Sequence, residues 1–210
     1  MKVSMQVSPY ISKLPFLGGD LSLDFVNTVH DRHEEPLRDL LQNYMDLVTW
    51  VYFGGAISDS QKEKLLKLGL ENQEEADQIY NDALQLREMF YDFILKLINQ
   101  DKVSSANLQL INQWLSRAFS NLELVQLNSH FVLDWNTENF ELESVLWPII
   151  RAFADLVTSE DINRIKQCGN CGYLFVDSSK NKSRRWCSME ICGNRVKARR
   201  FAKKARFPSK

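Results

Sequence analysis

Apolar residues recur at helical spacing through most of the first 160 positions. The most regular segment covers residues 73–99, where they alternate in steps of four and three. This spacing puts them on one face, as in the helices of a bundle. Fewer than four heptads are present, which favours a core helix over a coiled-coil dimer. The face consists of Ile79, Ala83, Leu86, Phe90, Phe93 and Leu97.

Shorter segments on both sides of this helix show the same period. Before it, we predict a helix over residues 21–29, a second over 37–51 and a third over 58–68. Asp20 and Ser58 can cap the first and third, whereas Pro36 and the glycines at 54–55 act as helix stops. After it, we expect one helix from Ser105 and another over 141–158. The inward residues of the Ser105 helix are Leu108, Ile111, Leu115 and Ala118.

Two local signals qualify this helical pattern. Pro148 lies inside the last predicted helix, so the regular helix either starts near Pro148 or is kinked there. Over residues 122–135 the period changes to two, because LELVQL and HFVLDW alternate around the turn residues Asn128 and Ser129. Such alternation is typical of a β-hairpin. We therefore predict a mainly α fold, with a helical N-terminal domain over residues 1–160 that contains one small β-hairpin.

Composition is ordinary for a globular protein, but the charge is unevenly distributed. The 210 residues are 44 % hydrophobic and 25 % charged, with a formal net charge of −1. Residues 161–210 hold 14 Lys and Arg against 3 Asp and Glu, whereas the first 160 residues carry a formal charge of −12. A basic segment of this density indicates a module that binds a polyanion. The alternative is a solvated tail that docks on the acidic body.

All four cysteines lie in this basic segment. Two residues separate Cys168 from Cys171, four separate Cys187 from Cys192, and fifteen lie between the pairs. Two close pairs around an insert of hairpin length are the pattern of a four-thiolate zinc site. Four protein ligands leave no position for a catalytic water, so we expect one structural Zn²⁺ per chain.

Other uses of the four cysteines fit the sequence less well. Disulfides need an oxidising compartment, and the chain opens without the apolar core of a secretory signal. A redox Cys-x-x-Cys pair usually follows a strand in a βαβ setting, which the pattern does not show. Four unrelated buried cysteines are the remaining alternative. A segment of this size cannot bury enough apolar surface to fold alone, which also favours a metal.

The residues around the cysteines predict a treble-clef-like zinc finger. Gly172 can take the positive φ that a turn between ligands requires. Residues 173–176 and 184–187 are expected to form a hairpin, with Trp186 in the core of the finger, and a helix is expected to start at Cys192. The apolar stripe of this helix, which we expect to pack on the hairpin, consists of Ala198, Phe201, Ala202 and Ala205.

The rest of the C-terminal helix is basic. Its cations suit nucleic-acid phosphates better than a membrane, because the alanine-rich stripe would bury little surface in lipid. Two arginines before Trp186 extend the same surface. The predicted nucleic-acid-binding residues are Arg184, Arg185, Arg195, Lys197, Arg199, Arg200, Lys203, Lys204 and Arg206.

Two stretches of the chain resemble known families. WCSMEICGNRVK, with the first cysteine pair and LFVDSSKNKSRR before it, resembles the CGNR zinc finger, whose signature is Cys192-Gly193-Asn194-Arg195 here. FLGGDLSLDFVNTV resembles the opening motif of the ABATE domain, which precedes this finger in bacterial proteins. The resemblance implies an ABATE-like helical domain over residues 1–160 and a CGNR-type finger over residues 161–210. It further implies that the finger binds DNA and that the protein regulates transcription under stress.

One polar cluster in the body allows two interpretations. Asp24, Asn27 and Thr28 fall on one face of the first predicted helix. They would form a small-molecule site, or else an ordinary polar face whose buried members need partners within the protein. No serine–histidine elbow, P-loop or dinucleotide fingerprint is present, so we expect no catalytic residues and no enzyme activity.

Together these patterns predict a zinc-dependent, DNA-binding transcription regulator of the cytoplasm. The finger helix would contact DNA, while the helical body would sense a small-molecule effector or form a homodimer. No apolar run is long enough for a membrane span, so no membrane partner is expected. An RNA-binding module or a protein-interaction adaptor built on the same finger is the alternative, because a basic helix suits all these partners.

Overall fold

The computed structural model describes residues 6–136, 138 and 140–206, without the side chains of residues 204–206. In this part of the chain, α-helices surround one apolar core and two short β-hairpins adjoin them. In chain order the helices and strands are α1 (Leu21–Val26), α2 (Tyr44–Phe53), α3 (Asp59–Glu71), α4 (Gln73–Ile98), α5 (Ser105–Phe119), β1 (Leu122–Leu127), β2 (His130–Trp135), α6 (Trp147–Thr158), β3 (Ile165–Gln167), β4 (Leu174–Val176) and α7 (Asn194–Arg206). Short 3₁₀ turns lie at Ile11–Lys13, Leu142–Leu146 and Glu160–Arg164, and a π turn lies at Met189–Gly193.

The long helix α4 is part of the core, as its hydrophobic period predicts. The ring of Phe90 stacks on Phe153 of α6 with their centroids 3.7 Å apart, and Phe93 meets Phe153 edge-on at 5.3 Å. Helix α1 packs against both α4 and α6. The face predicted for α4 is therefore a packing seam within one chain.

Helix starts follow their capping residues. Asp20 accepts a hydrogen bond from the Ser22 backbone at 2.8 Å, and Ser58 forms a reciprocal capping box with Gln61. Pro148 lies in the first turn of α6, where its missing N–H costs no helical hydrogen bond. Of the two possibilities for residues 141–158, the structure therefore shows a regular helix that starts near the proline.

Two predicted helices are shorter than the hydrophobic period suggests. Helix α1 ends at Val26, and α2 begins only at Tyr44, where Asn43 caps it. The intervening chain forms an antiparallel bridge between Val29 and Asp39, so its backbone groups pair with each other instead of within helices. Another correction concerns Leu108, which is 43 % exposed and does not face inward on α5.

The hairpin β1–β2 forms where the two-residue period predicts it. Its six residue pairs run from Leu122 with Trp135 to Leu127 with His130. Asn128 in the turn has a φ of 52°, a left-handed conformation that asparagine tolerates. The base of the hairpin is anchored in the core, where Trp135 contacts the ring of Trp147 at 5.6 Å.

The second hairpin differs from the prediction for the finger. Strand β4 pairs with β3 and not with residues 184–187, which form no strand. The turn that holds Cys168 and Cys171 joins β3 directly to β4, so the partner of β4 lies before the first cysteine. Ile165 and Leu174 of this hairpin belong to the apolar core of the body. No helix in the described part of the chain is both long enough and apolar enough to cross a membrane.

Candidate zinc centre and nucleic-acid interface

The four cysteine side chains converge on one buried point. Their sulfurs all lie within 4.8 Å of one another. The Cys187 sulfur is 3.7 Å from those of Cys171 and Cys192, which are 3.5 Å apart. Tetrahedral Zn–S bonds of about 2.3 Å require sulfurs about 3.8 Å apart, whereas a disulfide requires about 2.05 Å. The cluster therefore fits one structural zinc ion held by Cys168, Cys171, Cys187 and Cys192, with no position left for a reacting water.

The turn between the first two ligands supports this arrangement. Gly172 has a φ of +72°, and a β-carbon there would lie 2.6 Å from the β-carbon of Arg32. Both the conformation and the space therefore require glycine. The backbone N–H groups of Asn170 and Cys187 lie near the Cys168 sulfur and favour its thiolate form. Such donors stabilise the negative charge of metal-bound thiolates.

The second pair of ligands connects the zinc centre to α7. The carbonyl of Ser188 accepts hydrogen bonds from the backbone of Cys192 at 3.0 Å and of Gly193 at 3.1 Å, which closes the π turn. A β-carbon at Gly193 would lie 2.4 Å from the Met189 sulfur. Helix α7 starts at Asn194, two residues after the last ligand. The position of the zinc ligands thus fixes where α7 starts.

Asn170 links the zinc centre to a predicted DNA-binding residue. Its Nδ2 lies 3.4 Å from the Cys192 sulfur, and its Oδ1 accepts from Arg199 at 3.2 Å. The side chain therefore orients a ligand and a cation together. The sequence prediction gave Asn170 no role, and its only signal is its place between two cysteines.

The loop between β4 and Cys187 is organised by the buried carboxylate of Asp177. It accepts hydrogen bonds from Lys166 Nζ at 2.7 Å, Ser179 Oγ at 2.6 Å and the Arg184 backbone at 2.9 Å. Burial alone would raise the pKa of Asp177, but these hydrogen bonds outweigh it and hold that pKa well below its usual range. The ionised carboxylate of Asp177 therefore holds the loop together from its interior.

Helix α7 presents its cations to solvent. In the described part of the chain, no carboxylate lies within ion-pair distance of the cations on this helix. Lys204 and Arg206 belong to the predicted set, but their side chains lie outside the described residues. The exposed members are Arg195, Lys197, Arg199, Arg200 and Lys203.

The two predicted arginines before the third cysteine differ from each other. Arg185 is exposed, with its guanidinium 5.5 Å from the centre of the Trp186 ring. Arg184 points inward, where it donates to the carbonyl of Cys187 at 2.6 Å and lies over Phe175 at 4.7 Å. Arg184 therefore stabilises the finger. Trp186 is half-buried against the cysteine cluster, as a core residue of the finger would be.

The apolar stripe of α7 does not pack on the finger hairpin, so that prediction is wrong. Phe201 is 77 % exposed, and Ala198 and Ala202 are exposed beside it. The side chain of Ala205, the fourth predicted member, lies outside the described residues. Among the described elements, α7 makes extended contact only with the π turn before it. The hairpin is not free to receive the stripe, because Ile165 and Leu174 already lie in the core of the body and Phe175 packs with the cysteine cluster.

The polar cluster of the body lies at its contact with the finger. Asn27 Nδ2 donates to the Leu174 carbonyl at 2.8 Å, and Asn27 Oδ1 accepts from the Leu174 N–H at 2.9 Å. Thr28 Oγ1 donates to Phe25, and Asp24 Oδ1 accepts from Gly18 at 2.7 Å. All three polar side chains are buried and have partners, as expected for a polar face within the protein.

Asp24 is the member of this cluster whose side chain can titrate, and its pKa is shifted. Burial raises the pKa of Asp24 to about 6, although the backbone N–H groups of Gly18 and Leu17 act in the opposite direction. The carboxyl group thus titrates well above the usual range of an aspartate.

Further hydrogen bonds join the finger to the body. The Arg32 N–H donates to the Cys171 carbonyl at 2.9 Å, and Tyr91 Oη donates to the Gly172 carbonyl at 3.2 Å. Tyr173 Oη donates to the Val29 carbonyl. The turn that carries the first two zinc ligands is therefore fixed to α4 and to the segment after α1.

Two family models match the chain. Residues 19–160 match ABATE, described as "Putative stress-induced transcription regulator", and residues 164–205 match the CGNR zinc finger. None of the curated proteins matches. Both matching families are of regulator or zinc-finger type and neither is an enzyme family, which fits a regulatory role. The chain belongs to the ABATE family and carries a C-terminal CGNR zinc finger.

Proposed function

We propose that this protein is a zinc-dependent transcription regulator that binds DNA through α7. The observation that carries the proposal is the row of exposed cations on a helix whose start is fixed by the zinc ligands. Arg195, Arg199 and Lys203 recur at intervals of four, so they share one face. At about 100° per residue, Arg200 lies beside this face and Lys197 lies nearly opposite Arg199. Arg185 extends the basic surface onto the finger itself.

The dimensions of α7 suit duplex DNA. Its 13 residues span about 20 Å. A helix is about 10–12 Å across with side chains, which fits the major groove of B-DNA at about 12 Å. The major groove of an RNA helix is too deep and narrow to admit it. DNA is therefore favoured over double-stranded RNA as the partner.

The body, residues 1–160 in this proposal, holds the finger of residues 161–210 in a set orientation. Its contacts with the finger run through β4 and the turn between the first two ligands. An effector that displaced α1 would act on β4 through Asn27, which bonds both backbone groups of Leu174. A displacement of α1 would thereby reach β4 and the adjoining turn that carries the first two zinc ligands.

The test is duplex-DNA binding measured by fluorescence anisotropy at several salt concentrations. Phosphate contacts release counterions, so log K should fall linearly with log salt, with a slope of about −0.9 per contact. Replacing Arg195, Lys197 and Arg200 together by Gln should make this negative slope shallower by about 3 and weaken binding at low salt. Binding that is insensitive to salt would contradict the proposal.

A matched control separates this surface from net charge. Arg38, Lys67 and Lys102 are exposed cations of the body. Their triple replacement by Gln changes the total charge equally and should leave the slope unchanged. Structured RNA added as a competitor tests the alternative partner, since RNA that displaces the duplex at equal concentration would favour an RNA-binding module.

A further inference from the structure

The hairpin β1–β2 has an apolar face that the described part of the chain leaves uncovered. Leu124 on β1 pairs with Leu133 on β2. Phe131 precedes Leu133 by two residues, so its side chain lies on the same face of the hairpin. These three side chains are 68 %, 49 % and 63 % exposed. The same face is buried at the base of the hairpin, where Leu122 and Trp135 join the core. We call Leu124, Phe131 and Leu133 the hairpin patch.

The hairpin extends away from the rest of the molecule. Neither strand makes extended contact with another described element, and neither edge of the two-stranded sheet pairs with a further described strand. On the β2 edge, the Leu133 carbonyl accepts a hydrogen bond from Arg151 of α6 at 3.3 Å. An isolated two-stranded hairpin is only marginally stable in water. Open edges and a contiguous apolar patch together indicate a surface that another protein surface covers.

The chemistry of the patch favours one kind of partner. Apart from its apolar residues the face carries only Gln126, whereas the charged residues of the hairpin, Glu123 and Asp134, alternate onto the opposite face. An uncharged apolar face offers no charge pattern that would select a different protein. It is, however, complementary to itself, which is what a two-fold symmetric interface requires.

The size of the patch agrees with this partner. At about 200 Å² for a large side chain, the three residues expose about 350 Å² of apolar surface. Slightly more than half of the area buried in a protein interface is apolar. An apolar patch of this size would therefore form the centre of an interface that buries about 600 Å² on each chain. The total of about 1,200 Å² lies at the lower limit for specific interfaces.

We propose that two copies of this chain form a dimer by packing their hairpin patches face to face across a two-fold axis. The proposal does not depend on DNA binding. An interface of this size implies a reversible dimer, so the chain should pass from monomer to dimer within the micromolar range.

Sedimentation equilibrium of the zinc-loaded full chain from about 5 to about 300 µM tests the proposal. The average mass should rise from one chain to two. The double variant Leu124→Thr, Phe131→Thr keeps residues that favour strands but removes most of the patch, so its dissociation constant should rise at least tenfold. Leu70→Thr is the matched control, because Leu70 is 56 % exposed on α3 and should not affect dimerisation.

Hydrogen exchange of the wild-type chain gives a second readout that needs no variant. Amide protection should rise with protein concentration within residues 122–135 and stay constant elsewhere on the body. A monomer over the whole range, a dimer that the double variant leaves intact, or hairpin protection that does not change with concentration would each overturn the proposal. The exchange result decides the matter even if the double variant does not fold.

Discussion

At the scale of single residues, the side chain of Asn27 acts as a strand partner for β4. Its amide bonds both the N–H and the carbonyl of Leu174, and all of these groups are buried. Asn27→Ala would leave both backbone groups without partners. We expect the variant to lose about 2–4 kcal/mol of unfolding free energy in urea denaturation.

Asn81→Ala is the control for this variant. Asn81 is exposed on α4, so its replacement should change stability by less than about 0.5 kcal/mol. If Asn27→Ala were as stable as the wild type, its hydrogen bonds would not be structural. A ligand site at Asp24, Asn27 and Thr28 would then become the better interpretation.

Asp24 predicts a dependence of stability on pH. Because burial raises the pKa of Asp24 to about 6, the folded chain retains a proton that the unfolded chain releases near pH 4. The free energy of unfolding therefore falls as the pH rises through this interval. Asp24→Asn lacks this titration, while its side-chain oxygen can still accept from Gly18. Relative to wild type, the variant should gain about 1 kcal/mol between pH 5 and pH 7.

Urea unfolding at several pH values, with zinc in excess, measures this difference. Zinc binding is itself pH-dependent, but its contribution is common to both proteins and cancels in the comparison. Asp101→Asn provides an exposed control. A wild-type-to-variant difference that stays constant with pH would contradict the assignment.

At the scale of elements, the loop from β4 to Cys187 depends on Asp177. An asparagine there would turn its amide hydrogens toward donors such as Lys166 Nζ and the Arg184 N–H, so several hydrogen bonds would be lost. The loop would then hold Cys187 less firmly. We expect Asp177→Asn to release zinc to a chromogenic chelator about 10–100-fold faster, as with loss of outer-shell support at other metal sites.

The matched control for the loop is Asp161→Asn. The side chain of Asp161 is 53 % exposed, and within the described residues its carboxylate makes only a long contact of 3.5 Å with Arg164. Its replacement should leave the zinc-release rate unchanged. Equal release rates from the two variants would show that the Asp177 network does not support the ligand.

Elements whose signals are local could be predicted from the sequence. The period of α4, the alternation of β1 and β2 and the cysteine spacing each act within a short stretch of chain. The bridge between Val29 and Asp39 lies where the hydrophobic period predicted helix. Backbone pairing between these two segments outweighed the helical spacing of the apolar residues within each of them. Strand β4 and Asn27 are 147 residues apart, so no spacing rule could bring them together.

At the scale of the molecule, zinc and the body should unfold together. The sequence alone predicts that Cys187→Ser would unfold the finger and leave the melting of the body nearly intact. In the structure, Ile165 and Leu174 of the finger hairpin lie in the core of the body. We therefore expect a single unfolding transition, whose melting temperature Cys187→Ser lowers by about 10 °C. For a chain of this size, each kcal/mol of lost unfolding free energy lowers the melting temperature by about 2–4 °C.

Two probes of the same melt test this coupling. Tryptophan fluorescence reports mainly on the body, which holds four of the five tryptophans, among them the buried Trp50 and Trp147, while Trp186 lies in the finger. A chelating dye reports on zinc release. The two curves should coincide for the wild-type chain. Zinc release well below an unchanged tryptophan transition would show that the finger and the body fold independently.

Zinc ligation also changes the charge of the whole chain. Binding exchanges four thiol protons for one divalent cation, so the loaded chain is two charges more negative than the chain with protonated cysteines. The formal charge with protonated cysteines is only −1. In native electrophoresis near pH 7, where free thiols with a pKa of about 8.5 stay protonated, the zinc-loaded protein should therefore migrate faster toward the anode. Mobility at this pH is then a direct readout of zinc occupancy.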